Sequence, residues 1–287
     1  MDSPIDDRDS GILETPKGTL LVTTFTSLAY EKVLAEAKGW DAEKLERWNA
    51  VNRATTAAER ESLLGAWMLR STDRGLTWSA PYKIPVNSPH GPVALSGGRL
   101  LYAGRRFGGA GVLIGAWQSP DDGQTWSLLS PIPARPGDDP ANYHELHAVE
   151  TADGRIVAHI RNHNSANERE TLQSESSDGG KSWSVPRAIG VWGLPSHLLR
   201  LRDGRLLMSY SYRRPPRGND ARISQDHGRT WSDPIVLSDD GTGDLGYPST
   251  VELPSGELLT LWYQAMPPGV VSVLRLARWK LSLTTEL

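Results

Sequence analysis

The sequence predicts an all-β fold, specifically a β-propeller built from four-stranded blades. Three observations point there: a short string that recurs four times, a hairpin pattern that recurs five times, and a composition rich in turn formers. The string reads Ser-x-Asp-x-Gly-x-(Ser/Thr)-Trp and occurs as "STDRGLTW" (71–78), "SPDDGQTW" (119–126), "SSDGGKSW" (176–183) and "SQDHGRTW" (224–231). Gly 28 and Pro 20 supply many turns, and Trp 11 against Phe 2 suggests a specialised use of tryptophan.

The hairpins follow in order: "GILETPKGTLLVTTF" (11–25), "GPVALSGGRLLYAGR" (91–105), "HAVETADGRIVAHIR" (147–161), "HLLRLRDGRLLMSYS" (197–211) and "STVELPSGELLTLWY" (249–263). Each sets short or alternating apolar runs around a Gly-containing turn, the mark of paired β-strands. The turn glycines are Gly18, Gly98, Gly154, Gly204 and Gly256. After a long first interval they recur about every fifty residues, the period of radially repeated four-stranded blades and too strand-like for a helical solenoid. Five blades are countable in a single domain spanning 1–287. The Trp-ended string follows each of the first four hairpins, while the fifth continues into "VVSVLRLARWKL". The oversized first interval is filled by residues 27–63, rich in Ala, Glu, Lys and Leu, which read as a helical insertion within the first blade. It is either a solvated helical insertion or a lid or partner surface beside the pocket.

The Trp-ended strings are expected to join the third and fourth strands. Their Asp accepts backbone N–H groups, their Gly permits the tight backbone, and their Trp fills space between blades. Asp73, Asp121, Asp178 and Asp226 are therefore structural and lie on the face away from any chemistry.

Bulk properties exclude several classes. A net charge of −3 with interspersed signs provides no basic face for nucleic acid. No apolar run reaches the roughly 18 residues of a membrane helix. The acidic start "MDSPIDDRDS" is not a signal peptide, so the chain is expected to be soluble, either cytoplasmic or secreted with its signal removed. The absence of cysteine removes disulfides, thiolate metal sites and a Cys nucleophile. No metal or cofactor is expected, because the histidines make no zinc-type spacing.

Aligning the blades on their turn glycines locates the chemistry. Nine residues before each glycine stand Asp9, Pro89, Glu145, Pro195 and Tyr247, with Arg8, His90, His144, His147 and His197 close by. The second strands end at Arg105 and Arg106, Arg161, then Arg213 and Arg214. One rim thus gathers acids, a tyrosine, histidines and arginines. Such a set either pairs to tie blades together or forms a pocket for an anionic ligand, arginine being suited to grip a carboxylate.

At these residues the chain resembles the sialidase (neuraminidase) superfamily, whose Asp-boxes are the Trp-ended strings. The likeness covers nearly the whole chain outside 27–63. "HELHAVETADGRIVAHIRN" is similar to the family's stretch with its catalytic Glu and a carboxylate-binding Arg, which implies those roles for Glu145 and Arg161. "GYPSTVELPSGELLTLWY" resembles its last blade and implies Tyr247 as nucleophile. "RGNDARISQDHGRTW" points to Arg217 as another clamp arginine, with Arg213 and Arg214 as competitors, and "RDSGILETPKGTLL" points to Arg8. The general acid falls to Asp9 on the rim or Asp41 in the insertion. By their register on the rim, Arg105, His147 and His197 join the candidate substrate-binding set, the two histidines as hydrogen-bonded rim residues and not metal ligands. The chain departs from the family in carrying Asp9-Ser10 where the family has Ile-Pro, and in showing five blades where the family has six.

The resemblance implies retaining hydrolysis of a terminal α-linked sialic acid or a related acidic sugar, with an acidic glycan as substrate. The alternatives are a glycosidase or lyase for uronate-bearing glycans using a rim histidine, and a non-catalytic carbohydrate-binding propeller.

Overall fold

The computed structural model describes residues 2–37, 40–109, 111–266 and 271–281. It is a five-bladed propeller of antiparallel sheets. The first blade runs β1 (Asp6–Glu14), β2 (Leu20–Ser27), β3 (Ala66–Ser71) and β4 (Tyr82–Ile84). Between β2 and β3 stand helices α1 (Ala29–Glu36), α2 (Ala42–Ala54) and α3 (Ala57–Ser62), where the insertion was expected; residues 38 and 39 lie outside the described residues. The second blade has its inner strand broken into β5 (Val86–Asn87) and β6 (Val93–Ala94), both paired to β7 (Leu100–Arg106), followed by β8 (Ile114–Ser119) and β9 (Ser127–Pro131). The third is β10 (Tyr143–Glu150), β11 (Ile156–Asn162), β12 (Glu170–Ser176) and β13 (Arg187–Trp192). The fourth is β14 (Ser196–Arg200), β15 (Leu206–Tyr212), β16 (Arg217–Ser224) and β17 (Ile235–Gly241). The fifth shows β18 (Leu245–Glu252), β19 (Leu258–Met266) and β20 (Val271–Trp279).

Burial explains the strand patterning, because the core lies between blades and not within one sheet. Leu21 and Met68 of the first blade pack with Leu100, Tyr102 and Trp117 of the second. Leu101 and Ile114 pack with Leu146, Ile156 and Leu172 of the third. Val149 and Val157 pack with Leu198, Leu206 and Met208 of the fourth, and Leu207 and Ile223 with Leu258 of the fifth. A middle strand such as β11, covered on both sides, is buried almost throughout, and its apolar run Ile156–Ile160 is interrupted only by His159.

The four Trp-ended strings connect third to fourth strands and share one hydrogen-bond pattern. In each, the Ser hydroxyl donates to the Asp Oδ1 at 2.7–2.8 Å and accepts the Gly N–H at 2.8 Å. The Asp then accepts the N–H and hydroxyl of the Ser or Thr four residues on. The strings also act between blades. Tyr82 Oη donates to Gly123 O at 2.5 Å, Ser130 Oγ to Gly180 O at 2.6 Å, and Gln173 Nε2 to Gly228 O at 2.7 Å, each from the blade before. The tryptophans split: Trp183 and Trp231 bond to the preceding blade through Ser130 and Gln173, whereas Trp78 and Trp126 bond to their own turn glycines.

Candidate active site

The site is built by three breaks in strand register. Pairing of the inner to the second strand slips between Arg8 and Gly11, between His144 and His147, and between Gly246 and Ser249. Within those bulges Asp9, Glu145 and Tyr247 have φ of 45°, 38° and 56°. A bulge re-aims a side chain, and a non-glycine residue with positive φ costs about 1–3 kcal/mol. The chain carries this strain three times at equivalent positions, and the result is convergence on one point at the propeller axis.

There Tyr247 Oη donates to Glu145 Oε1 at 2.6 Å. Arg161, from the end of β11, donates through Nη1 to Glu145 Oε2 and reaches Tyr247 Oη at 3.3 Å. Its Nε donates to His163 Nε2 at 2.8 Å, which fixes the guanidinium plane. Burial, and then the Glu145 charge, push the Tyr247 phenol well above its usual range, so it stays protonated until a base takes the proton. Asp9 is raised to about 6, chiefly by burial and next by Glu145, with Arg8 and Arg161 pulling the other way. Asp9 borders two cavities. One, of about 460 Å³, is shared with Glu145, Arg105, His144 and Asn87. The other, of about 240 Å³, is shared with Tyr247, Tyr263 and Trp262.

Arg161 and Arg213 line a third, smaller recess of about 110 Å³ together with Trp192 and Ser211. Arg213 Nε and Ser211 Oγ are buried there without a hydrogen-bond partner among the described residues. Arg213 also touches Tyr263 Oη at 3.4 Å and pairs with Asp244 at 3.5 Å. A Cβ on Gly246 would sit 2.8 Å from both Arg213 Nη2 and Ser211 Oγ, so the residue before Tyr247 is small because the recess needs the space.

The remaining expected residues fall differently. Arg105 faces the first cavity, with one bond to Ala141 O at 3.3 Å. Arg8 stands next to Asp9 but is half-exposed and paired to Asp6. Arg217 starts β16, pairs with Gly241 of β17 and is exposed; it lines none of the cavities around the cluster. Arg214 stacks 3.9 Å over Trp192 at the margin. Asp41 is the N-cap of α2, accepting Lys44 N–H at 2.7 Å, and joins no catalytic group. His147 and His197 sit in the channel and not on the rim. Their rings stack at 4.6 Å, with His90 edge-on to both at 5.2 Å. His147 Nδ1 accepts Leu198 N–H and His197 Nδ1 accepts Thr250 N–H, so both are structural acceptors kept neutral by burial, His197 at about 4. Among the described residues no group of three His, Asp or Glu side chains is placed to hold a metal ion, and no helix is long and apolar enough to cross a membrane.

Sequence reasoning missed Phe25, Ser211 and Tyr263 as site residues. The signal was present, because each stands seven residues past its turn glycine, the register that singled out Arg105 and Arg161. Only charged residues were noticed there.

Residues 31–259 match the BNR repeat-like domain family. A xyloglucanase from a Paenibacillus species is 33% identical over 164 residues, which is 50% of this chain and 15% of that protein. The chain therefore spans a small part of that relative. A solved protein of unknown function from Dyadobacter fermentans superposes with a TM-score of 0.77 at 25% identity, over 98% of this chain and 79% of that one. The NanB sialidase of Streptococcus pneumoniae, in a mutant form, gives a TM-score of 0.65 at 16% identity, over 96% and 56% of the two chains. That last likeness is one of fold.

Proposed function

The chain belongs to the BNR repeat-like domain family, and from that premise we propose that it is a retaining glycoside hydrolase for a terminal α-linked sialic acid or a related acidic sugar. The observation that carries this reading is the 2.6 Å hydrogen bond from Tyr247 Oη to Glu145 Oε1, with Arg161 bridging both. Glu145 takes the phenolic proton as Tyr247 attacks the anomeric carbon, and a covalent glycosyl-tyrosine forms as the leaving oxygen departs. A tyrosine suits a sugar whose anomeric carbon bears a carboxylate, because a neutral nucleophile avoids the like charge a carboxylate would meet. Asp9 delivers the proton to the leaving oxygen; its raised value keeps part of the population protonated near pH 6. Water, deprotonated by Asp9, then attacks the anomeric carbon, the bond to Tyr247 Oη breaks as Glu145 returns the proton to the phenolate, and configuration is retained.

Arg161 and Arg213 hold the substrate carboxylate in the recess where Arg213 Nε and Ser211 Oγ lack partners. Arg105 reaches the sugar from the first cavity.

The test is release of 4-methylumbelliferone from its α-sialoside. Tyr247→Phe and Glu145→Gln should each lower kcat by about a thousandfold. Wild-type protein with no turnover sinks the sialic-acid reading and moves the assay to uronate-bearing glycans. A neutral-glycan reading has one observation in its favour, the 33% identity to a xyloglucanase, so xyloglucan oligosaccharides belong in the same assay.

A further inference from the structure

Beside the catalytic cluster the helical insertion and the start of the chain enclose a cavity of about 510 Å³ that the chemistry above leaves unused. One wall is Trp48 of α2, whose residue remains 39% exposed although it packs on Tyr30 at 5.9 Å and Trp40 at 5.3 Å. Tyr30 is buried and tied to Asn52 Oδ1 at 2.9 Å, so it backs the indole firmly. Lys44 and Arg47 stand on the same helix, and Asp6 and Asp7 of β1 also line the cavity.

This lining selects a class of ligand. An aromatic face accepts the C–H face of a pyranose ring, while hydroxyls, which both donate and accept, suit a border of cations and carboxylates. A lipid would meet four charged groups, and a simple anion would meet Asp6 and Asp7. The volume lies within the roughly 300–1,000 Å³ of small-ligand sites. Position agrees as well. Asp6, in the cavity wall, and Asp9 lie on one strand, three positions or about 10 Å apart, so the cavity is within reach of the second or third sugar of a chain bound at Asp9.

We propose that this cavity is a leaving-group subsite, in which Trp48 stacks on a second or third sugar beyond the scissile bond and Arg47 and Lys44 hydrogen-bond its hydroxyls. The inference rests on the glycosidase reading. The insertion would make the protein prefer oligosaccharides over short glycosides, since a small aryl leaving group does not reach Trp48.

The experiment compares KM and kcat for 4-methylumbelliferyl α-sialoside and for a sialylated tetrasaccharide, using the full chain. Trp48→Ala should raise the tetrasaccharide KM about tenfold relative to the shift on the aryl sialoside, with kcat within about twofold, and Trp48→Phe should recover most of it. Arg47→Ser, at a side chain 70% exposed and safe for folding, should raise the same KM by about threefold. Equal losses on both substrates, or no loss on the tetrasaccharide, would overturn the subsite. If neither sialoside is turned over, calorimetric titration of the Tyr247→Phe protein with a xyloglucan heptasaccharide separates the two readings. Binding that Trp48→Ala abolishes upholds the subsite while the acidic-sugar reading falls; no binding, or binding indifferent to Trp48, overturns the subsite too.

Discussion

At the residue scale the site works by setting two carboxyl groups apart. Glu145 is engaged by Arg161 and Tyr247, whereas Asp9 is buried beside that charge and raised to about 6. Two measurable consequences follow from that one value. As the proposed general acid Asp9 acts while protonated, so kcat/KM for an unactivated disaccharide should fall as pH rises through about 6. Asp9→Asn should lose far more on that substrate than on the aryl sialoside, whose leaving group needs little help. Equal losses would remove Asp9 as the acid. In stability the sign is reversed from the usual carboxylate. A carboxyl whose folded value is raised contributes stability present below its unfolded value, near 3.8, which is lost as pH rises to about 6. Asp9→Asn should therefore stabilise the fold at pH 7, on the order of 1–3 kcal/mol, and the gain should vanish below about pH 4. Thermal melts at both pH values check it.

At the element scale the Trp-ended strings are fasteners between blades. The glycines Gly123, Gly180 and Gly228 have φ of 84°, 87° and 85°, and their missing Cβ atoms would press on Leu21, Leu101 and Val157 of the preceding blade at 2.6–3.0 Å. Gly75 in the first string has the same backbone, at 86°, but nothing nearer than 3.5 Å. Backbone strain on substitution is thus common to Gly75 and Gly180, and only the second adds overpacking against the buried Leu101. Gly180→Ala should cost about 1–2 kcal/mol more than Gly75→Ala in urea unfolding. Equal costs would show that the strings matter only to their own turns. The bulges are the second kind of element, each trading a regular ladder for a side chain aimed at the axis.

At the scale of the whole molecule, blades are joined by core between neighbours and by histidines at the axis. Ser249 of the fifth blade meets His90 of the second at 3.3 Å, His197 of the fourth accepts Thr250 N–H of the fifth, and His147 of the third accepts Leu198 N–H of the fourth. Burial lowers all three imidazoles, with neighbouring rings lowering His90 and His147 further. Groups whose folded values are depressed this way lose stability as pH falls below 6.5, by up to about 1.4 kcal/mol per unit for each ring, until the folded value is passed, near 4 for His197. The melting temperature should drop between pH 6.5 and 4, and His197→Asn, which keeps an acceptor without a titration, should flatten that drop. An unaltered slope would exclude the axis as the source. Between the fifth blade and the first, Ile12, Val251, Leu261, Leu274 and Leu276 stay exposed, and no shared core cluster joins those two blades among the described residues.

How much was legible follows from the range of each interaction. The hairpins, the strings and the helical insertion were readable because turn chemistry and apolar alternation are local and repeat. Asp9, Glu145 and Tyr247 were readable as a set, since equivalent register puts equivalent residues on one rim. Arg213 could not be chosen over Arg217 from the chain alone. They lie four positions apart, and only the end of β15 and the path into β16 decide which side chain turns inward. His144 borders the first cavity, whereas His147 and His197 lie deeper, because spacing gives position along a strand and not depth in the channel. The sequence by itself determined the repeating blades and the residue types at their inner ends. The tertiary structure decided which of those residues meet, because bulges and the curvature of the ring act across blades, and no local pattern records them.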